Sequence, residues 1–139
     1  MYHKIIIAGN LGNDPEMRYT PDGTPVTNLS VPTNRRWNST DGTQNEETVW
    51  FRVTAWRQLA ETCNQYLSKG RQVLVEGRLR PDENGGPRIW TGNDGQPRAS
   101  FEVTALTVKF LGGRGEGVDS TVSSQEPPPP ERGEEEIPF

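Results

Sequence analysis

The chain has 139 residues, of which 30% are hydrophobic, and a net charge of -4; its mean hydropathy is -0.82. That length suits one domain with an appendage, and no apolar run approaches the roughly 20 residues that span a bilayer, which excludes a membrane helix. One histidine, His3, and one cysteine, Cys63, exclude a His-based metal site, a Ser-His-Asp triad and an internal disulfide.

His3–Leu11 reads as a strand whose unbroken apolar run predicts burial on both faces over Ile5–Ala8. Gly9 and Gly12 allow the bulge or bend that a small barrel needs. Asn13-Asp14-Pro15 is a turn, Met17–Thr20 a short extended piece, and Pro21-Asp22-Gly23 a second turn. Val26–Val31 is a strand, with Val26, Asn28 and Ser30 on one face. A polar loop over about 38–47 follows, and its Ser39-Thr40-Asp41-Gly42 suits a hairpin tip.

The next strand is Val49-Trp50-Phe51-Arg52-Val53-Thr54-Ala55-Trp56. Alternation puts Val49, Phe51, Val53 and Ala55 on one face and Trp50, Arg52, Thr54 and Trp56 on the other. Two indoles flanking a guanidinium make a surface on which bases stack while a cation meets phosphate. The same pattern would also serve tryptophans packed under a loop or in a subunit interface.

Arg57–Ser68 is a helix, because Leu59, Ala60, Cys63, Tyr66 and Leu67 fall on one face, and Tyr66 and Cys63 are expected in the core. Gly70 is its stop. Arg71–Arg80 is a strand, Pro81–Pro97 a turn-rich excursion holding Arg88 and Trp90, and Ala99–Leu111 the last strand. The predicted fold class is therefore all-β: a five-stranded OB-fold barrel with one short helix after the third strand. A β-sandwich is the alternative, although it usually has more strands and no mid-chain helix.

Charge and composition both change near residue 112. Residues 1–115 hold 14 Lys and Arg against 12 Asp and Glu, whereas residues 116–139 hold one Arg against seven acids. Gly, Pro, Ser and Glu dominate the latter stretch, which cannot offset its ordering entropy by burial. The expected division is a barrel domain over 1–112, a disordered linker over 113–133, and an acidic-hydrophobic tip, Glu134-Glu135-Glu136-Ile137-Pro138-Phe139. A merely solubilising tail gains nothing from ending in Ile-Pro-Phe, so the tip reads as a peptide that docks on other proteins. Met1–Ile5 lacks a signal peptide's features, which predicts a cytoplasmic protein.

Several segments, in order, closely resemble the bacterial single-stranded DNA-binding protein family. They are Lys4-Ile5-Ile6-Ile7-Ala8-Gly9-Asn10-Leu11-Gly12, Asp14-Pro15-Glu16-Met17-Arg18-Tyr19, Trp50-Phe51-Arg52-Val53, Leu59-Ala60-Glu61, Tyr66-Leu67-Ser68-Lys69-Gly70, Val75-Glu76-Gly77-Arg78-Leu79-Arg80 and Ile137-Pro138-Phe139. The resemblance implies an OB-fold, a homotetramer, no enzymatic activity, no cofactor, and sequence-tolerant binding of single-stranded DNA. It also implies a tip that recruits replication, recombination and repair proteins. Its stacking aromatics fall on Trp37, Trp50, Trp56 and Trp90, and its phosphate-contacting positions on Lys4, Arg18, Arg52, Lys69, Arg80, Arg88 and Arg98. Arg36, in the basic pair Arg35-Arg36 beside Trp37, joins them by the form of the motif. The chain departs from the family at Trp56 and Gln58, in the apparent insertion over 81–87, and in Glu for Asp in the tip. An RNA-binding barrel of cold-shock type would share the aromatic platform but would not need the acidic tail.

Overall fold

The computed structural model describes residues 1–112 and, for 121–123, the backbone. The elements in order are β1 (Ile5–Asn10), β2 (Glu16–Tyr19), β3 (Pro25–Asn38), β4 (Gln44–Trp56), α1 (Gln58–Tyr66), β5 (Gln72–Leu79), β6 (Arg88–Thr91), β7 (Pro97–Leu111) and β8 (Thr121–Ser123). The strand path is β1-β5-β7-β4-β3-β2, with β6 and β8 each also pairing with β7. All pairs are antiparallel except β4 with β7, which is parallel over Phe51–Thr54 and Phe101–Thr104.

The path closes into a barrel because β1 returns to β3. The Gly12 N–H donates to the Ser30 carbonyl at 2.9 Å. A Cβ at Gly9 would sit 2.4 Å from the Pro32 carbonyl oxygen, so only glycine permits this approach. The closed order β1-β3-β4-β7-β5, with α1 following β4, is that of an OB-fold. Inward residues fill the interior: Ile7, Leu29, Val31, Val53, Ala55, Val73, Val75, Val103 and Val108 are buried. Leu59, Ala60 and Cys63 of α1 join the same core. The buried Thr27 hydroxyl donates to the Ala60 carbonyl at 2.7 Å and ties the helix to β3. Burial pushes the Cys63 thiol up to about 12.

The structure corrects several expectations. The described residues contain three strands, β2, β6 and β8, beyond the five of the barrel. The turn-rich excursion contains β6, which forms a hairpin with the start of β7. The polar loop is shorter than its composition suggests, because β3 and β4 pair without a break from Val26 with Trp56 to Asn38 with Gln44. The Ser39–Thr43 tip stands as expected, closed by the Ser39 N–H donating to the Thr43 carbonyl at 2.8 Å. Beyond the barrel this hairpin arm is solvated on both faces, so its residues show no apolar alternation for a sequence reading to detect.

Strand β1 is not buried on both faces. Ile7 points inward, but Ile6 is 61% exposed, because β1 ends the path and nothing in the described residues covers its outer side. Its register is regular; the irregularity falls on β5, between Glu76 and Gly77. Tyr66 is not a core residue either. It ends α1 59% exposed, its ring tilted against Phe110 at 6.4 Å. The expected linker and tip lie outside the described residues, except that the backbone of Thr121–Ser123 pairs with Thr107–Lys109 of β7.

Helix α1 starts from a strained residue. Arg57 has φ 58° and ψ -129°, and its N–H donates to the Pro25 carbonyl at 2.9 Å. A side chain there costs about 1–3 kcal/mol, while glycine's extra unfolded-state entropy costs roughly 0.5–1 kcal/mol. Arg57→Gly should therefore stabilise the fold by about 1 kcal/mol and raise the thermal midpoint by several degrees. A lower midpoint would show that the Arg57 side chain contributes more than its backbone costs.

Candidate nucleic-acid interface

Strand β4 carries the candidate site because ladders hold it on both edges. Its register with β3 sets Trp50 opposite Pro32, Arg52 opposite Ser30 and Trp56 opposite Val26. On its other edge Arg52 lies beside Glu102 of β7. The β6–β7 register then sets Arg88 opposite Ser100 and Trp90 opposite Arg98. Paired residues point to the same side of a sheet. Trp50, Arg52, Glu102, Ser100, Arg88, Arg98 and Trp90 therefore occupy one continuous outward face.

Trp50 is 55% exposed. It lies against the backbone of Gly12, where a Cβ would come within 2.7 Å of the indole Cζ3. Trp90 is 37% exposed, with the Arg88 guanidinium over its ring at 5.4 Å, a cation–π contact. Trp56, at the end of β4, is half-buried. Trp37 stands apart. Unbroken alternation along the arm puts Trp37 and Arg35 on the side opposite Trp50 and Arg52, with Arg35 over the Trp37 ring at 5.0 Å. The four indoles thus do not make one flat platform.

The basic residues divide similarly. Arg18, Arg52, Arg80 and Arg88 converge on a cleft of about 620 Å³ whose floor includes Asn28, Thr54 and Glu102. A smaller cleft of about 240 Å³ continues past Arg52 and Asn28 to Asn13 and Asp14. The Lys69 N–H donates to the Asp14 carboxylate at 2.8 Å, which places Lys69 near that end. Among the described residues Arg18 and Arg80 have no ion-pair partner.

The remaining candidates are already matched with acids. Lys4 pairs with Glu76 at 3.0 Å and does not line the cleft; hydrogen bonding and charge from Glu76 raise its pKa. Arg35 pairs with Glu47 and Arg36 with Glu46, both at 3.5 Å, and Arg98 with Asp94 at 3.0 Å. The three arginine pairs are exposed and therefore weak, so a phosphate can displace them at low cost.

Two participants are missing from the sequence reading. Gly12 supports an indole, a role that no local pattern discloses. Glu102, only 7% exposed, sits on the floor between two arginines; its signal is an acid among the apolar and hydroxyl-bearing residues of 99–108.

A closed OB barrel with exposed indoles and convergent arginines on one sheet face defines a class of protein suited to unpaired nucleic acid. Residues 2–111 match the model of the single-strand binding protein family, and the chain belongs to that family. It is 43% identical over 114 residues to a single-stranded DNA-binding protein of Neisseria meningitidis serogroup A, covering 82% of this chain and 62% of that protein. Identity to the protein of the same description from Xanthomonas axonopodis pv. citri is 43% over 115 residues, covering 83% and 61%. The chain thus spans about three fifths of the length of these curated relatives.

Among solved structures, the Plasmodium falciparum SSB in complex with ssDNA superposes with a TM-score of 0.66 at 26% identity, covering 81% of this chain and 97% of that one. A deletion mutant of the single-stranded DNA-binding protein from Thermus aquaticus gives 0.61 at 28%, covering 80% and 51%.

The contact between Gly12 and Trp50 can be tested directly. Gly12→Ala should push the indole outward and raise acrylamide quenching of tryptophan fluorescence, with the circular dichroism of the barrel retained. In a Trp50→Phe background the same substitution should leave the quenching unchanged. A quenching increase that persists in that background would place the disturbance elsewhere.

Proposed function

We propose that this chain is a non-catalytic binder of single-stranded DNA whose strand runs along the face from Trp50 through the arginine cleft to Trp90. The observation that carries this reading is the joint placement, by three ladders, of two exposed indoles with Arg52 and Arg88 on one face. Bases stack on the indoles at about 1–3 kcal/mol each, and because every base has a π-face the binding is sequence-tolerant. Arg18, Arg52, Arg80 and Arg88 meet the phosphates, while Lys69 extends the basic track. Trp37 engages a strand that bends around the arm, Arg36 and Arg98 meet its phosphates on the Trp50 side, and Trp56 stacks at the strand's far end. Lys4 contributes only where phosphate displaces Glu76. Duplex DNA competes poorly, since its bases are already stacked.

Assembly as a homotetramer belongs to the same proposal. It is supported by exposed apolar side chains such as Ile6 (61%), on the uncovered outer face of β1, and Phe101 (55%), with Phe51 tilted against Phe101 at 5.9 Å. Titrating tryptophan fluorescence with poly(dT), beside sedimentation, tests both parts. Trp50→Ala and Trp56→Ala should each weaken binding by about 1–3 kcal/mol without unfolding the protein. Unchanged affinity in both variants would refute the platform, and a monomer at micromolar concentration would refute the tetramer.

The acidic segment gives the chain its role in replication, recombination and repair. Ile137 and Phe139 enter an apolar pocket on a partner, and Glu134, Glu135 and Glu136 meet a basic rim, with Pro138 holding the two hydrophobes extended. This part of the proposal rests on the pattern of the segment in the sequence. Removing 137–139 should abolish capture of genome-maintenance proteins while leaving poly(dT) affinity unchanged. Removing 116–139 should in addition tighten binding at low salt, an effect that fades as the Debye length falls to about 10 Å near 0.1 M. Continued capture after the three-residue truncation would leave the segment as a solubilising appendage.

A further inference from the structure

We infer that Glu102 is a built-in counter-ion of the DNA groove, a positioning residue that aims Arg52 and Arg88 outward while cancelling part of their charge. The inference rests on the proposed strand path and adds a residue that limits affinity along it.

The geometry is specific. The Glu102 side chain is 6% exposed, and its carboxylate oxygens reach Arg88 Nη1 at 3.4 Å and Arg52 Nε at 3.9 Å. Ser100 Oγ donates to it at 2.9 Å. A carboxylate this buried is stable only when paired, and two guanidiniums with a hydroxyl supply the pairing. The arginine side chains remain 44% and 52% exposed. Each guanidinium has five N–H donors, so most of each fork stays available to the cleft. Arg88 also lies over Trp90, and the carboxylate thereby steadies one of the stacking indoles. Asp82 and Glu83 border the same cleft, but Asp82 already accepts the N–H groups of Asn84 and Gly86, both at 2.9 Å.

The group of two guanidiniums and one carboxylate carries a net charge of one, not two. A phosphate arriving above the arginines meets fixed, pre-aimed donors and an opposing negative charge beneath them. The cluster therefore favours fast release and shallow salt dependence over maximal affinity. Thr104, two residues further along β7, is the uncharged alternative that the same face tolerates.

The test compares the full chain with Glu102→Gln, which keeps shape and acceptor oxygen but removes the charge, and with Glu102→Asp, which keeps the charge. Poly(dT) affinity is measured across a salt series, and thermal melts check folding. Glu102→Gln should bind about three- to tenfold tighter near 0.1 M salt. Its plot of log K against log salt should steepen by about 0.7, one further neutralised phosphate on a single strand. Glu102→Asp should keep the parent slope. Weaker binding by Glu102→Gln at an equal or shallower slope would overturn the counter-ion role, as would an aspartate variant that follows the glutamine one.

Arg52→Ala and Arg88→Ala separate the two levels of the argument. If neither weakens binding, the strand path fails and the inference with it; if both do while Glu102→Gln matches the parent, the inference alone fails. Should Glu102→Gln not fold, the unmodified protein still decides. Its Glu102 side-chain carboxyl carbon resonance should move when (dT) oligomers bind, as a phosphate shares the two guanidiniums with it, and a static resonance would overturn the proposal.

Discussion

The parallel pairing of β4 with β7 is the constraint on which the rest depends. A barrel of five strands closes only if one strand lies between a hairpin partner and a strand distant in sequence. Here that strand is β4, held by β3 on one edge and by β7 on the other. With both edges engaged its register cannot slip, and a slip of one residue would turn Trp50 and Arg52 inward. The same parallel contact sets Arg52 beside Glu102. A ladder that serves the core on its inner side thus sets the charge pattern on its outer side.

Charge on this surface is arranged in two tiers. Lys4, Arg35, Arg36 and Arg98 each face a single exposed or half-exposed acid. Such pairs are weak and exchangeable, so they hold side chains in place without withdrawing them from other anions. Around the cleft the arrangement differs: four arginines converge above one buried carboxylate. The cleft lining, four arginines against Asp82, Glu83 and Glu102, keeps a positive balance, and an overall charge of -4 is compatible with an anionic ligand.

The hairpin arm shows the limit of reading function from alternation alone. Trp37 and Trp50 are both exposed, yet the continuous β3–β4 register sets them on opposite sides of one two-stranded ribbon. A ligand that touches both has to pass around an edge, whereas Trp50 and Trp90 are reached across a single sheet surface. The hairpin of β6 with β7 makes this possible by carrying Arg88 and Trp90 onto the face that β4 begins.

The amino-acid sequence by itself determined the barrel class, because period-two alternation, turn residues and one amphipathic helix are local signals that burial enforces. Alternation also put Trp50, Arg52 and Trp56 on one strand face, whereas Trp37, Trp90 and most of the basic positions came from the family resemblance. Tertiary structure decided what depends on contacts between distant residues. Ile6 and Tyr66 read as core, but which side of an edge strand or helix end is covered depends on the neighbours present. The strands in the arm and in the excursion over 81–97 were hidden because residues solvated on both faces leave no hydrophobic period. Glu102 reads as one acid among nineteen until the β4–β7 register brings it beneath Arg52, and Gly12 as a bend until the fold lays Trp50 against it. Pairings fifty residues apart are set by barrel closure, and no local pattern in the chain encodes them.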